Sequence, residues 1–508
     1  MALVLSWREG VTAALSPEGA LVVHGPGGRV SLRRVAPELL DALRRFDPPG
    51  EDEHRLTELV RGVGNGCLAR WYYYQECLIR RGLLCYSVVA KGTRLATLVA
   101  VSSSFATKPA QAIPDRRYVL SRFAYLRREG SEAVLESPLA HARVTLNDCR
   151  ATALVGALAA PASAEELSGR VGELPTDAVT GVLTLLLRAS MIGEASAAGN
   201  CGADDDPALQ TWDFHDLLFH ARSRQGRFDA PYGSTYRLAG KLPPAPALKP
   251  SSTGETRELF RPDLERLQRE DPPLARVQEQ RRSVREFDAE QPITDHQLGE
   301  FLFRVARVKE CRQAEVATPG GGSIRMDFAF RPYPAGGGLY ELELYVAVNR
   351  CANLEPGLYH YDPSRHQLAR LCGRTTDVRK LLRDAADSAA LSEDTLQVLL
   401  ILAARFPRVA WKYESIAYAL TLKHVGVLFQ TMYLAATAMR LAPCALGGGD
   451  ADLFARAAGT DYRAETSVGE FLLGSQRHGP MDIVGEIRNV LAGGPSDDLP
   501  SVDSKGWA

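Results

Sequence analysis

The chain has 508 residues, of which 45% are hydrophobic and 24% charged, a composition that supports folded cores and excludes disorder as the main state. At roughly 100–200 residues per domain, this length predicts about three domains. The 60 basic and 61 acidic residues give a net charge of -1, which excludes a global electrostatic attraction to nucleic acid or to an anionic membrane.

The nine cysteines are odd in number and show no C-x-x-C pair, which favours reduced thiols over disulfides or a zinc site. Residues 1–16 lack a basic start followed by an apolar core, and no run of 18 uncharged apolar residues occurs in the chain. We therefore expect a soluble cytoplasmic protein with no membrane segment.

The first 200 residues contain two copies of one pattern, about 114 positions apart. Each copy begins with a predicted hairpin, at residues 20–32 and 132–146, and the second strands read Arg29–Leu32 (RVSL) and Arg143–Leu146 (RVTL). Three helical stretches follow in each copy, and the last runs into a strand, at Leu78–Val88 and Leu186–Ala195. This order predicts two winged-helix-like domains, at residues 1–100 and 115–200.

A winged helix recognises either DNA, through a helix in the major groove, or a peptide that adds as a strand to a sheet edge. The third helix of the second copy, PTDAVTGVLTLLLRAS, has a single arginine in sixteen residues, which disfavours a DNA-binding helix. Peptide recognition is therefore the preferred interpretation, and a purely structural spacer is the alternative.

Residues 201–275 are predicted to form a connecting helix and a linker, because the stretch KLPPAPALKPSSTGE is rich in proline and serine. His215 and His220 precede the linker and lie five positions apart. This spacing does not put two imidazoles on one helical face, so we predict no metal site and a helix packed on a neighbouring domain.

A predicted catalytic domain at residues 276–490 begins with a basic cluster and precedes a flexible tail at 491–508. Arg281, Arg282, Ser283 and Arg285 offer three guanidinium groups and a hydroxyl within five positions. These groups can bind a phosphate and a polarised carbonyl, although a solvated basic face is the ordinary alternative.

Two glycine-rich elements follow the basic cluster. The first is YPAGGGLY at residues 333–340, and the second is CALGGGD at 444–450, after a long helical run from 415 to 440. Glycines let a backbone approach a flat ligand closely, whereas the simpler interpretation is a pair of turns next to strands. Neither G-x-G-x-x-G nor G-x-x-x-x-G-K-[ST] is present, which excludes Rossmann and Walker nucleotide sites.

Four segments together resemble the flavin-dependent nitroreductase superfamily: RRSVREF, YPAGGGLYELELYV, WKYESIAYALTLKHVGVLFQTMYLAA and APCALGGGD. More narrowly, they resemble the SagB/ThcOx-type dehydrogenases, the FMN-dependent azoline oxidases that act on ribosomally made peptide natural products. The resemblance covers residues 275 to about 480, and the duplicated N-terminal region is similar to the peptide-binding region of long family members. It implies an α+β fold with FMN at a homodimer interface.

The resemblance also implies which residues contact FMN. The phosphate and ribityl chain would be bound by Arg281, Arg282 and Ser283, completed by Arg477 although the local pattern there departs from the family's. Arg285 would lie near flavin N1 and the C2 carbonyl, where a cation favours the reduced anionic flavin. Other contacts implied are Ala335, Gly336 and Gly337 along the ring, Gly447 and Gly448 at its N5 edge, and Gln430.

Lys412 and Tyr413 match the Lys-Tyr dipeptide that distinguishes azoline oxidases from generic nitroreductases. Oxidation of an azoline removes a proton from Cα and a hydride from the neighbouring ring carbon, so a positioned base is needed. A lysine ammonium beside a tyrosine favours tyrosinate, so Tyr413 is the preferred base with Lys412 as its activator, and the reverse assignment stays open. The alternative is a helix start with a packed tyrosine. Glu414 and His424 have two interpretations: relay groups beside the pair or, as the preferred one, a helix-terminus carboxylate and a helix-face residue.

The resemblance thus predicts a cytoplasmic homodimer that oxidises thiazoline or oxazoline rings in a precursor peptide and works with a cyclodehydratase. No metal, nucleic-acid partner or membrane partner is expected. Two alternatives remain: a generic NAD(P)H-dependent nitro or flavin reductase, and a peptide-binding scaffold of a heterocyclase complex.

Overall fold

We describe a computed structural model of the chain over residues 3–17, 20–25, 28–33, 35–62, 65–107, 110–172, 174–228, 230–250 and 254–477. The predicted tail at 491–508 lies outside the described residues. The chain divides into two compact units, Met1–Pro231 and Tyr232–Ala508. Both contain helices and antiparallel sheets, which confirms the predicted mixed α+β class.

Unit 1 consists of twelve described strands and eight described α-helices. The strands are β1 Leu3–Trp7, β2 Thr12–Leu15, β3 Leu21–Gly25, β4 Gly28–Leu32, β5 Glu51–Asp52, β6 Leu84–Ala90, β7 Thr93–Ala100, β8 Tyr118–Leu120, β9 Tyr125–Glu129, β10 Glu132–Glu136, β11 Ala142–Leu146 and β12 Ile192–Glu194. The helices are α1 Pro37–Arg44, α2 Glu53–Arg61, α3 Asn65–Arg80, α4 Cys149–Ala157, α5 Ala164–Val171, α6 Thr176–Arg188, α7 Pro207–Gln210 and α8 Phe214–Arg222.

The predicted repeat is present in the structure and is longer than the sequence pattern indicates. The two hairpins are β3–β4 and β10–β11, and α1–α3 and α4–α6 follow them. Each copy also has a leading strand, β1 or β8, which pairs with the strand after the third helix, β6 or β12. A further strand, β2 or β9, precedes each hairpin and pairs with it.

The two copies share one sheet and one hydrophobic core. Strand β7 of the first copy pairs with β11 of the second, so one seven-stranded sheet runs in the order β5-β1-β6-β7-β11-β10-β9. A single core cluster extends from Leu3 to Ile192, and Arg188 on α6 forms an ion pair with Glu53 on α2 at 3.1 Å. The two winged-helix-like regions predicted as separate domains therefore pack as one unit.

Unit 2 consists of nine described strands and seven described α-helices. The strands are β13 Thr256–Glu258, β14 Glu310–Ala317, β15 Ser323–Phe330, β16 Leu342–Val348, β17 Gly357–Asp362, β18 Gln367–Cys372, β19 Val398–Arg405, β20 Leu441–Ala445 and β21 Glu465–Ser475. The helices are α9 Leu264–Glu270, α10 Leu274–Gln280, α11 Asp295–Ala306, α12 Thr376–Ser388, α13 Phe406–Ala410, α14 Ala417–Ala438 and α15 Ala451–Ala458. In the part of the chain that the structure describes, no helix is long and apolar enough to cross a membrane.

The central sheet of unit 2 has the order β13-β18-β17-β16-β19-β21-β20 and is covered on both faces. Side chains such as Leu344 and Leu400 pack against α11 and α14, whereas Tyr345 and Ile401 pack against α12 and α15. Because successive residues of a strand point to opposite faces, the middle strands are apolar on both. The sheet therefore forms a rigid platform under the loops that follow its strands.

The proline-rich segment predicted as part of a linker is bound to unit 2 along its length. We call residues 232–250 the strap. Trp411 Nε1 donates to Leu242 O at 2.8 Å, and Lys249 Nζ lies 2.7 Å from the Glu465 carboxylate. Arginines 405 and 408 donate to the carbonyls of residues 245–247. Composition favours flexibility here, but two arginines and an indole of unit 2 supply donors for a proline-rich backbone whose carbonyls need partners.

Candidate active site

The first glycine element brings the predicted catalytic pair to a single point. Residues Gly336–Gly338 form a short 3₁₀ turn in which Gly337 has φ +62°. A β-carbon on Gly337 would lie 2.7 Å from both Lys412 Nζ and Tyr413 Oη. The lysine amine and the tyrosine hydroxyl therefore converge on the face of this loop, in the space that a side chain at position 337 would need.

Helix α13 and the turn after it determine where Lys412 and Tyr413 lie. Tyr413 N donates to Val409 O at 2.9 Å, and Ser415 has φ +65°, which ends this turn before α14 begins. Arg408, which is buried, donates to Leu339 O at 3.0 Å and thereby fixes α13 to the glycine loop. Burial and the nearby charge of Arg405 lower the pKa of Arg408 to about 10.

His424, on the buried face of α14, connects the glycine loop to a buried carboxylate. Gly336 N donates to His424 Nε2 at 2.7 Å, and His424 Nδ1 lies 2.7 Å from Glu341 Oε1. Since the backbone N–H requires an acceptor at Nε2, the ring proton is on Nδ1 and is donated to Glu341. Glu341 is fully buried, and its Oε2 has no hydrogen-bond partner among the described residues.

The glutamates of the segment Glu341–Tyr345 (ELELY) are buried, although their alternation with leucines is typical of a half-exposed strand. Glu343 accepts a hydrogen bond from His360 at 3.2 Å and lies 3.0 Å from Arg405 Nε. Burial by itself would raise its pKa, but His360 and the charges of Arg405 and Arg331 lower the pKa of Glu343 to about 2. The sequence signal for these buried carboxylates is the presence of two glutamates within an otherwise apolar strand segment.

The predicted basic cluster is tied to the second glycine element through one tyrosine. Ser283 Oγ lies 2.7 Å from Tyr433 Oη on α14. Tyr433 Oη also accepts a hydrogen bond from Ala445 N at 2.8 Å. The Arg281 guanidinium lies 5.3 Å from the centre of the Tyr433 ring. Tyr433 therefore brings the segment after α10 next to the start of the CALGGGD element.

Arg281 and Arg282 line a cavity of about 490 Å³. The same cavity is lined by Arg440 and Gln476, so three guanidinium groups face one space. Arg440, in a left-handed conformation at φ +55°, was not predicted from the sequence, because nothing local distinguishes it from other arginines at helix ends. This charge concentration is suited to a phosphate.

The second glycine element and the remaining predicted contacts differ in their exposure. Cys444 is buried, which raises the pKa of its thiol, while hydrogen bonding to Arg285 and Ser283 counters part of that increase. Side chains added at Gly447 or Gly448 would meet no atom within 4 Å, so this loop faces open space. Gln430 is exposed on α14, and Arg477 is exposed directly after Gln476. Their flavin contacts stay predictions.

The two histidines considered before the strap have separate surroundings. His215 lies 3.5 Å from Asp216 on the surface, and together with Asp213 they form an exposed acidic group. His220 packs against Trp212, with ring centres 5.5 Å apart. Exposed clusters of this kind are common without a metal ion, and the group carries no assignment.

Three family models match consecutive parts of the chain. They describe a ThcOx helix-turn-helix domain at residues 1–108, the cyanobactin oxidase ThcOx at 118–229 and the nitroreductase family at 279–474. The chain belongs to the SagB/ThcOx-type oxidases of the nitroreductase superfamily. These matches confirm the predicted resemblance of the four motifs to this family. They also identify the protein as an oxidoreductase. Proteins of the nitroreductase family generally bind a flavin.

Individual relatives of this ThcOx-type oxidase are distant. A Methanocaldococcus jannaschii protein assigned as a nitroreductase is 29% identical over 197 residues, which are 38% of this chain and 85% of that protein. A Ralstonia eutropha structure assigned likewise is 22% identical with a TM-score of 0.33, covering 49% of this chain and all of the other. The Escherichia coli microcin synthetase McbBCD complex with truncated pro-MccB17 is 21% identical with a TM-score of 0.31, covering 38% and 67%. At these TM-scores neither structure bears on what the chain does.

We predict that Gly337→Ala in this ThcOx-type oxidase displaces the lysine and tyrosine ends from the loop. The added methyl would overlap both, so Lys412 should react several-fold faster with acetic anhydride, as mapped by peptide mass spectrometry. Gly459→Ala is the matched control, since Gly459 has φ +67° and open space around it. Both variants should lose about 1 kcal/mol of stability from the left-handed backbone, but unchanged Lys412 labelling in Gly337→Ala would contradict the proposed convergence.

Proposed function

We propose that the protein is an FMN-dependent azoline oxidase, which converts thiazoline or oxazoline rings of a ribosomally made peptide to thiazole or oxazole. The observation that carries this proposal is the convergence of Lys412 Nζ and Tyr413 Oη on Gly337. A flavin hydride acceptor alone does not remove the substrate proton, so a paired amine and hydroxyl at the glycine loop answer the additional requirement. A cyclodehydratase that forms the azoline is the partner this reaction implies.

The residues of unit 2 fit FMN. Three arginines that line the 490 Å³ cavity, Arg281, Arg282 and Arg440, suit its phosphate. The open space beside Gly447 and Gly448 leaves room for a flat ring against the backbone. Ser283 would orient the ribityl chain, and Arg285 would supply a positive charge near the ring, as the family resemblance implies.

The chain's own part in the reaction is to bind, orient and deprotonate. FMN, when bound, supplies an acceptor for the hydride that leaves the ring carbon of the azoline. The Cα proton, which the adjacent imine and carbonyl acidify, passes to the Tyr413 oxygen. This oxygen enters the step as tyrosinate, whose charge an ammonium at Lys412 Nζ stabilises, and leaves it as the neutral hydroxyl. Loss of one proton and one hydride gives the aromatic ring and balances the atoms and electrons.

Two other functions are disfavoured by particular features. A generic NAD(P)H-dependent nitro or flavin reductase requires neither a base next to Gly337 nor the two-copy repeat of unit 1. A peptide-binding scaffold without catalysis has no use for the arginine-lined cavity. Neither alternative accounts for unit 1, the arginine-lined cavity and the Lys412–Tyr413 pair together.

We predict that the purified protein, incubated with FMN and an azoline peptide in air, removes two hydrogen atoms from each ring, as measured by mass spectrometry. Lys412→Ala and Tyr413→Phe should each lower kcat about 100- to 10,000-fold, the range of general base catalysis. The double variant should be little worse than the weaker single variant, because the pair acts as a unit. All variants should retain FMN absorbance.

The matched control for the double variant is Lys380→Ala with Tyr462→Phe, an exposed lysine and an exposed tyrosine of unit 2. If the double variant keeps full azoline oxidation, the assigned mechanism is wrong. If NADPH bleaches the flavin rapidly while an azoline peptide keeps its mass, the protein is a reductase. A protein that takes up no FMN would overturn both enzymatic functions and favour the scaffold.

We further propose that the first copy in unit 1 binds the precursor peptide as an added strand. The equivalent edges differ: β11 in the second copy is covered by β7, whereas among the described residues β4 pairs with β3 alone. Gly25 is the register partner of Gly28, from which two residues separate it in the sequence. Hairpin geometry makes such a pair a hydrogen-bonded one, and hydrogen-bonded pairs alternate along a hairpin. Arg29 and Ser31 therefore direct their backbone N–H and C=O groups away from β3, toward an incoming strand.

We predict that Ser31→Pro weakens peptide binding about tenfold, because it removes an outward N–H but no hydrogen bond of the hairpin. Fluorescence anisotropy of a labelled precursor peptide measures the effect. Ser31→Ala retains the N–H and should bind like the natural protein. Equal binding by Ser31→Pro and Ser31→Ala would locate peptide recognition elsewhere.

We also propose that α14 mediates the homodimer that the family resemblance implies. Its buried residues form one face, at Thr421, His424, Val425, Leu428, Met432 and Ala436. Apolar side chains continue around the helix, and Tyr418 and Leu422 are 48% and 39% exposed in the single chain. A second copy packed here would cover this surface.

We predict that Leu422→Glu converts the dimer to a monomer in sedimentation velocity and lowers the bound FMN, because a carboxylate cannot be buried unpaired in the interface. Leu264→Glu, at a leucine of α9 that is 44% exposed, is the control and should change neither quantity. A Leu422→Glu protein that stays dimeric would exclude this face.

A further inference from the structure

The strap binds the backbone at and directly after the catalytic pair, which we define as Lys412 and Tyr413. Gly233 N donates to Glu414 O at 3.1 Å, and Glu414 N donates back to Gly233 O at 3.0 Å. Tyr236 N donates to Lys412 O at 3.1 Å. The strap therefore pairs with this turn as a strand would, although it lies far from it in sequence.

A side-chain contact strengthens the same pairing. Thr235 Oγ1 donates to Glu414 Oε2 at 2.8 Å. The carboxylate of Glu414, predicted as a helix-terminus group, is thus used to bind the strap. The backbone N–H, the carbonyl and the carboxylate of Glu414 all form hydrogen bonds with the strap, which restricts the movement of the turn after the catalytic pair.

The Tyr236 ring faces the lysine of the catalytic pair. Lys412 Nζ lies 5.6 Å from the centre of the Tyr236 ring and 5.4 Å from that of Tyr413, so two aromatic rings flank the amine. Tyr236 is 7% exposed and packs edge to face against Trp411, with ring centres 6.0 Å apart. Such a ring attracts an ammonium through its electron-rich face.

The backbone of Tyr236 is also unusual. Its φ is +54°, a left-handed conformation that bulky residues rarely adopt. Such a conformation persists only where the surroundings impose it. Here the Lys412 carbonyl, the Trp411 ring and the Lys412 amine together fix the residue. The strap lies between residues 229 and 279, outside the three stretches that match family models.

We propose that Tyr236 is a positioning residue, which holds the Lys412 side chain as a cation against Tyr413 so that Tyr413 is the base. This inference rests on the proposed azoline oxidation and deepens it by dividing the roles within the catalytic pair. In this arrangement Tyr236 acts through Lys412. The strap makes the site dependent on residues that precede the matched nitroreductase stretch.

The test combines kinetics with a measurement that needs no turnover. Tyr236→Leu removes the ring face and should lower kcat about tenfold with the KM for the azoline peptide unchanged, whereas Tyr236→Phe keeps the ring and should stay within about twofold of the natural protein. Acetic anhydride should label Lys412 several-fold faster in Tyr236→Leu, relative to Lys380 in the same sample. Tyr462→Leu, the same change at an exposed tyrosine, should alter nothing.

The possible results separate the two proposals. If the natural protein leaves azoline peptides unchanged, the proposed function fails, and the labelling of Lys412 still tests the contact. If the natural protein is active and a folded Tyr236→Leu protein keeps both kcat and the Lys412 labelling rate, the positioning role is wrong. If Tyr236→Leu does not fold, Tyr236→Met decides: it removes the ring face with a more flexible side chain, and unchanged kcat and Lys412 labelling would overturn the proposal.

Discussion

Lys412 and Tyr413 reach the glycine loop because Gly337 has no side chain and adopts a positive φ. A β-carbon at Gly337 would lie too close to the Lys412 amine and the Tyr413 hydroxyl, so the arrangement of the site depends on the missing side chain at this position. Arg408 fixes α13 to the carbonyl of Leu339, and the strap pairs with the turn that follows. Two separate parts of the chain therefore hold the pair at one backbone position, which gives the precision that proton transfer requires.

Buried charged and polar side chains also fix the glycine loop. His424 accepts from Gly336 and donates to Glu341, so the loop's geometry depends on a histidine in one tautomer. Glu343, two residues on, is stabilised as a carboxylate by His360 and two arginines. Charged groups buried with their partners cost desolvation but specify a single arrangement, which is consistent with their position directly under a site that must be rigid.

Unit 1 shows how duplication alters a binding surface. The two copies have the same order of strands and helices, yet β7 of the first copy occupies the edge of the second. Because a strand edge can pair only once, the copies differ in the one feature that strand addition needs. Sequence similarity between them therefore does not imply the same role.

The local sequence predicted the hairpins, the three-helix order of each copy, the motifs of the catalytic domain and the Lys412–Tyr413 pair, because periodicity, turns and short motifs are encoded in neighbouring residues. The shared sheet of unit 1, the buried pairing of His424 with Glu341, the approach of Arg440 to the basic cluster and the binding of the strap depend on residues far apart in the chain. The strap shows the reason most directly. Its composition is that of a free linker, whereas its carbonyls accept hydrogen bonds from Arg405, Arg408 and Trp411, which lie more than 150 residues later in the chain.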